Sequence, residues 1–152
     1  MHTVAGVLRA FNGACAERIF PFLARQYGGS MGATSERLRV SDAFVVRYDA
    51  AAQRSLPTHQ DDSHLSLTVA LNAADEYDGG GTAFEDVDGA SPSTPTVVSP
   101  KLGHVVAFPG ALRHGGAPVT RGVRYIIAAF LWIAAEATTP PAGRGTKRGR
   151  AK

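Results

Sequence analysis

From Leu65 to Leu71 the chain alternates strictly: Leu65, Leu67, Val69 and Leu71 fall on one side of an extended strand, and Ser66, Thr68, Ala70 and Asn72 on the other. A strand with one strongly apolar face and one small or polar face has two different neighbours. Further short apolar or β-branched runs read as strands at Ala43 to Tyr48, Thr82 to Phe84, Thr96 to Val98, His104 to Phe108, Gly116 to Thr120 and Arg124 to Trp132. Turn-rich stretches part them, among them Asp78-Gly79-Gly80-Gly81, Asp88-Gly89, Ser91-Pro92-Ser93 and Pro109-Gly110. Ahead of the strands, residues from about Ala14 to Gln26 suit an amphipathic helix, with Ile19, Phe20 and Leu23 on its apolar side and Gly28-Gly29 as its stop. Pro21 falls inside that helix, where it removes one hydrogen bond and crowds the preceding turn, so a kink or two shorter helices is expected. A helical N-terminal part followed by many short strands predicts a mainly β fold with N-terminal helices, an antiparallel sandwich or barrel carrying the helices on one outer face.

Length and composition narrow this picture. The 152 residues suit one domain around one hydrophobic core. A content of 44% hydrophobic and 19% charged residues belongs to folded globular chains rather than disordered ones. The expected division is a domain over residues 1–136, with helical support over about 1–40 and strands over about 41–133, then a tail over 137–152. That tail holds Arg144, Lys147, Arg148, Arg150 and Lys152 among threonines, prolines and glycines, a composition that predicts a solvated, disordered terminus. Without those five, 11 basic residues stand against 13 acidic ones, a balance of −2, so the pI near 9.4 is a property of the tail. Nucleic-acid contact or a nuclear address is therefore expected only through the tail.

The longest apolar run, Tyr125 to Ala135, is about half the ~20 residues that span a bilayer and reads as a buried strand. Met1 to Gly6 lacks the basic, apolar and small-residue segments of a secretory signal. The expectation is a cytoplasmic or nuclear protein with no transmembrane segment. Cys15 is the single cysteine, which excludes an intramolecular disulfide; its apolar helical setting reads as a buried small hydrophobe.

Candidate chemistry gathers at three residues. His59 and Asp61, two apart, and the distant His114 supply two imidazoles and one carboxylate, the set that holds Fe(II) on one side and leaves the opposite positions open. In an extended strand residues i and i+2 share a face, which favours Asp61 over Asp62 as the partner of His59. His114 follows the strand His104 to Phe108 through the turn Pro109-Gly110, which would return a second imidazole to the same pocket. Ten residues on, Arg124 opens a strongly apolar strand, where an unpaired guanidinium is costly to bury. It calls for an anion, from the protein or from a ligand, and its planar fork suits a carboxylate. Asp62 reads as solvent-facing or as a support to a ligand, His64 as a surface or loop residue, and His104 as a strand residue.

The segments Phe44-Val45-Val46-Arg47-Tyr48, Leu56-Pro57-Thr58-His59-Gln60-Asp61, Leu71-Asn72, Gly79-Gly80-Gly81-Thr82-Ala83-Phe84, Gly103 to Phe108, and His114-Gly115-Gly116 through Gly122-Val123-Arg124-Tyr125 carry a resemblance. From about Phe20 to Trp132 the sequence resembles the 2-oxoglutarate and iron(II)-dependent dioxygenases, and within them the catalytic domain of prolyl 4-hydroxylases and related lysyl hydroxylases. The resemblance implies a double-stranded β-helix, a jelly-roll core with supporting helices. It makes His59, Asp61 and His114 iron ligands, gives Arg124 the distal carboxylate of 2-oxoglutarate, and matches Tyr48 and Thr82 to positions that help hold that co-substrate. It further implies O2 as co-substrate, ascorbate as an accessory, release of succinate and CO2, and hydroxylation of a prolyl or lysyl side chain in a protein or peptide.

The alternatives are the same chemistry on a free amino acid, another small molecule or an alkylated nucleobase, or a non-catalytic metal-binding interaction domain. Arg124 stands where many collagen-type prolyl hydroxylases carry lysine, which weakens that label. Phe130 stands six residues after Arg124, where nucleobase-repair relatives usually have a second arginine, and argues against a nucleobase. The region before Phe44 is short for the family, so a minimal enzyme or a fragment is expected. The acidic loop Ala73 to Gly81 reads by default as a solvated loop, the alternative being that it flanks the substrate entrance.

Overall fold

The first helical segment is longer than its apolar stripe suggests. In the structure, a computed structural model that describes residues 5–85, 87 and 92–136, helix α1 (Ala5–Ala14) runs through a π-helical turn (Cys15–Ile19) into α2 (Phe20–Met31). The widened turn, closed by the Phe20 N–H on the Cys15 carbonyl, lies directly before Pro21. It leaves proline in the first turn of α2, where a missing N–H has no intrahelical acceptor to leave empty. The expected disruption at Pro21 is thus absorbed as a π turn. Gly28-Gly29 does not end the helix as expected; Gly32 does, at φ 64°, with its N–H on the Gly28 carbonyl.

Two sheets follow. The larger orders β1 (Leu38–Asp49), β9 (Val119–Ile133), β3 (Leu65–Ala70) and β7 (Val105–Pro109), with β4 (Tyr77–Gly79) paired to the start of β9. The smaller orders β2 (Leu56–His59), β8 (His114–Gly116), β5 (Thr82–Phe84) and β6 (Thr96–Val98). The chain crosses repeatedly between the sheets, staying in one only from β3 to β4 and from β5 to β6, and all pairs are antiparallel, which makes a jelly-roll. The mainly β architecture with N-terminal helices is as expected.

Several boundaries differ. β1 begins at Leu38, inside the segment assigned to helical support, because its long pairing with β9 extends from Leu38↔Ile133 to Asp49↔Val123. The expected strand Gly116 to Thr120 is two elements, parted at Ala117 and Pro118, where proline has no N–H for a ladder. β4 was not expected, being short and weakly apolar, and β2 ends at His59, short of the Asp61 that was expected to share its strand. His104 lies just before β7 rather than within it. The basic tail, Asp88-Gly89 and Ser91 lie outside the described residues.

The alternation in β3 divides the molecule. Leu65 and Leu67, with Ala129 and Leu131 of β9 and Leu38 of β1, meet Cys15, Ile19 and Leu23 from the helical layer in one buried cluster. Each fully buried leucine contributes roughly 1.5–3 kcal/mol. Burial raises the Cys15 thiol pKa, as befits a packed apolar group. The opposite face of the same sheet, with Ser66 and Thr68 of β3, lines a pocket between the two sheets. No helix among the described residues is long and apolar enough to cross a membrane.

Candidate metal centre

His59 and His114 are direct cross-strand partners, the last residue of β2 opposite the first of β8. Side chains of such a pair leave the sheet on the same side, and the two rings stand 4.5 Å apart. Asp61 is not on that strand. β2 ends at His59, and Asp61 sits in the connection to β3, where its N–H donates to the Gly110 carbonyl at 2.9 Å. The turn Pro109-Gly110 therefore places both distant partners, carrying the chain to His114 and holding the backbone of Asp61.

One donor atom from each of these three residues falls within 4.8 Å of the others. His59 Nε2 lies 3.3 Å from Asp61 Oδ1, and His114 Nε2 lies 3.3 Å from Asp61 Oδ2. Adjacent donors on one face of a six-coordinate ion, with bonds of about 2.1 Å, stand roughly 3 Å apart, so the set fits such an ion. Both imidazoles are oriented for it. His59 Nδ1 lies 2.9 Å from the Pro57 carbonyl and His114 Nδ1 lies 2.8 Å from that of Leu112, so Nδ1 carries the proton and Nε2 keeps its lone pair. The His114 ring is wedged edge-on against Phe108, which is itself edge-on to Phe84.

The other expected site residues line the same pocket. Arg124 and Tyr48 are cross-strand partners in β9 and β1, with the guanidinium carbon 5.6 Å from the centre of the tyrosine ring. Arg124 is 1% exposed, yet only Nη1 has a partner, the Gly81 carbonyl at 3.3 Å; Nε and Nη2 have none. A buried guanidinium with two idle donor nitrogens is matched by a carboxylate. Burial raises the Tyr48 hydroxyl pKa, with Arg124 pulling the other way. Thr82 is buried in β5, in register with Gly116 of β8. Gly116 has a steric reason to lack a side chain: a Cβ there would come within 2.8 Å of the Tyr48 hydroxyl.

All six expected residues thus share one pocket, and three further groups emerge that sequence reasoning did not single out. Ser66 Oγ donates to Asp61 Oδ2 at 2.5 Å. Thr68, also lining the pocket, has a buried hydroxyl without a partner. Both were visible as polar members of an alternating strand, but nothing marked them as facing a site. The third group is a clamp behind the histidines. Glu85 accepts from the Thr58 hydroxyl at 2.6 Å and from Arg113, tying together the neighbours of His59 and His114. The Thr58 bond first, then Arg113, hold the Glu85 carboxyl below its ordinary pKa.

The remaining expectations resolve simply. Asp62 is exposed. His64 is exposed and accepts the Ile133 N–H through Nδ1, and His104 is exposed beside the Leu102 carbonyl. In the acidic loop, Asp78 pairs with Arg121 and Glu76 accepts from Asn72 and the Ala73 N–H, so these carboxylates brace the loop.

Residues 42–132 match the family model of the 2OG-Fe(II) oxygenase superfamily. A PKHD-type hydroxylase of Xanthomonas campestris pv. campestris is 38% identical over 123 residues, covering 81% of this chain and 47% of that protein. The multifunctional procollagen lysine hydroxylase and glycosyltransferase LH3 of Rattus norvegicus is 36% identical over 128 residues, 82% of this chain and 15% of that protein. The chain therefore spans about half the length of the first relative and a small part of the second. Among solved structures, a 2OG-Fe(II) oxygenase family oxidoreductase from Burkholderia pseudomallei shares the fold with a TM-score of 0.65, at 20% identity over 86% of this chain and 60% of that one.

Proposed function

Because the chain belongs to the 2OG-Fe(II) oxygenase superfamily, we propose that it is an Fe(II)- and 2-oxoglutarate-dependent hydroxylase acting on a prolyl or lysyl side chain of a protein or peptide. His59, Asp61 and His114 hold the ion. Arg124 receives the distal carboxylate of 2-oxoglutarate, assisted by Tyr48 and Thr82. The observation that carries this reading is the buried Arg124, whose two idle nitrogens lie in the pocket that the triad shares. A metal site alone would not explain a desolvated cation in the same pocket. The substrate class comes from the relatives' names, a PKHD-type hydroxylase and a procollagen lysine hydroxylase.

When bound, Fe(II) and 2-oxoglutarate would supply oxygen activation, one atom of O2 going into succinate as CO2 leaves and the other into the substrate as C–H becomes C–OH. The protein's own residues bind, orient and exclude water. The Nδ1 contacts of both histidines keep Nε2 aimed inward. Phe108 and Ile126 wall the pocket, strengthening the attraction between Arg124 and a carboxylate. Removal of hydrogen from an unactivated carbon requires no general base, and none of the pocket's remaining groups is assigned that role. The test is succinate formation from 2-oxoglutarate with Fe(II), ascorbate and a peptide library containing proline and lysine. Turnover dependent on one peptide class identifies the substrate; binding of Fe(II) and 2-oxoglutarate without any turnover, coupled or uncoupled, would make the domain an interaction module.

A further inference from the structure

The carboxylate of Asp61 faces the candidate ion site with both oxygens. Oδ1 stands 3.3 Å from the His59 donor and Oδ2 stands 3.3 Å from the His114 donor, so neither oxygen is turned away. A carboxylate so placed can reach an ion with one oxygen or with both, and which it does depends on what else holds each oxygen. Coordination arithmetic makes the difference consequential. Three protein donors leave three of six positions, two for a chelating 2-oxo acid and one for O2, whereas four protein donors leave only two.

We propose that Ser66 is a positioning residue that makes Asp61 a one-oxygen ligand and so sets the number of open positions. This rests on the assignment of the triad to Fe(II). Ser66 is buried, and its hydroxyl donates to Oδ2 at 2.5 Å. An ionised carboxylate only accepts, so the single Ser66 proton points at Asp61, and the Ser63 hydroxyl, 2.9 Å from Ser66 Oγ, must supply its own proton to Ser66. The chain of donors Ser63, Ser66, Asp61 has one direction. It draws charge from Oδ2 and fixes the carboxylate's rotation, leaving Oδ1 as the stronger donor to the ion.

The anchor is rigid. Ser66 lies in β3, paired on both sides, opposite Phe108 of β7 and Phe130 of β9. Asp61 is held by its N–H on Gly110, and a Cβ at Gly110 would lie 2.5 Å from the Ser63 hydroxyl oxygen. The geometry is thus imposed by the sheet rather than by the loop that carries Asp61.

Ser66→Ala and Ser66→Thr separate this role from ordinary structural support. The measurements are anaerobic calorimetric titration with Fe(II), titration of the Fe(II)-loaded protein with 2-oxoglutarate, and infrared difference spectra of protein with 13C-labelled aspartate carboxylates. Ser66→Ala is expected to keep its Fe(II) affinity, because chelation replaces the lost orientation, while 2-oxoglutarate affinity falls by about tenfold or more. The splitting between the antisymmetric and symmetric carboxylate stretches should narrow on Fe(II) binding, as for a two-oxygen ligand. Ser66→Thr retains the hydroxyl and restores both readouts. Equal losses of Fe(II) and 2-oxoglutarate affinity in Ser66→Ala, or no change in either affinity or splitting, would overturn the inference while leaving the hydroxylase reading intact. A wild-type protein that binds no Fe(II) would remove both.

Discussion

Arg124→Met keeps an unbranched stem, ends two atoms short of the guanidinium tip, and removes the charge and all the donors, so its effects on the ligand-free and the loaded protein should have opposite signs. Nε and Nη2 are buried without partners, and the one bond from Nη1 is 3.3 Å long. An unsatisfied buried donor costs ~1–3 kcal/mol. Replacing two of them by apolar surface, less the weak bond lost, should stabilise the ligand-free protein by about 1–4 kcal/mol. For a chain of this size, with an unfolding entropy near 2.1 cal/mol/K per residue, that is a rise in Tm of about 3–13 °C. Co-substrate binding should move the other way. Loss of a desolvated charge pair costs about 2–5 kcal/mol, or roughly 30- to 5,000-fold in the Kd for 2-oxoglutarate. The assay is thermal unfolding with Mn(II), with and without 2-oxoglutarate, beside calorimetric titration of both proteins. Wild type should gain about 2.7 kcal/mol at a ligand concentration of 100 wild-type Kd, and the variant should gain less than about 0.9 kcal/mol at that concentration. A ligand-free variant that melts below wild type, or one that binds 2-oxoglutarate within twofold of wild type, would refute the argument from idle donors.

Three further outcomes follow from the same geometry. His114→Ala removes one of three donors and should lower Fe(II) affinity by more than about 100-fold, beyond what the loss of an outer partner costs; an unchanged calorimetric titration would take His114 out of the set. Gly116→Ala places a methyl group 2.8 Å from the Tyr48 hydroxyl, so the ring must shift, and 2-oxoglutarate affinity should fall while Fe(II) affinity stays. Equal affinities for both would separate Tyr48 from the co-substrate. Glu85 has its folded-state pKa lowered by Thr58 and then Arg113, so the stability it contributes is present above its unfolded pKa and is lost as pH falls through the folded one. Glu85→Gln should therefore flatten the acid limb of the stability curve between those two values, measured by denaturant unfolding across pH; a variant curve parallel to wild type would exclude the linkage.

Much of the fold is written in local patterns. The alternation in Leu65 to Leu71 signalled a strand between two environments, and one face does pack on helices while the other lines the pocket. The misses have physical causes. Gly28-Gly29 carries a stop signal that tertiary packing overrides, since Leu23 and neighbouring apolar residues hold the helix on the sheet to Met31. β4 owes its pairing to a partner far along the chain, and a short, weakly apolar segment has no periodicity of its own to announce it. His59 and Asp61 were expected to share a strand. They share a site because the Gly110 carbonyl captures the Asp61 N–H after the strand has ended.

By itself the sequence determined the kinds of group available: two imidazoles and a carboxylate suited to one ion, an arginine in an apolar strand that needed an anion, and helices followed by strands. Those follow from side-chain chemistry and from local periodicity, which are properties of short segments. Tertiary structure alone decided that His59 faces His114 across one ladder, that Arg124 is left with idle nitrogens, and that Ser66 reaches Asp61. The first two depend on register between strands distant in sequence, where a shift of one residue would turn each side chain to the other face of its sheet, and the third on the Gly110 carbonyl that holds the Asp61 backbone.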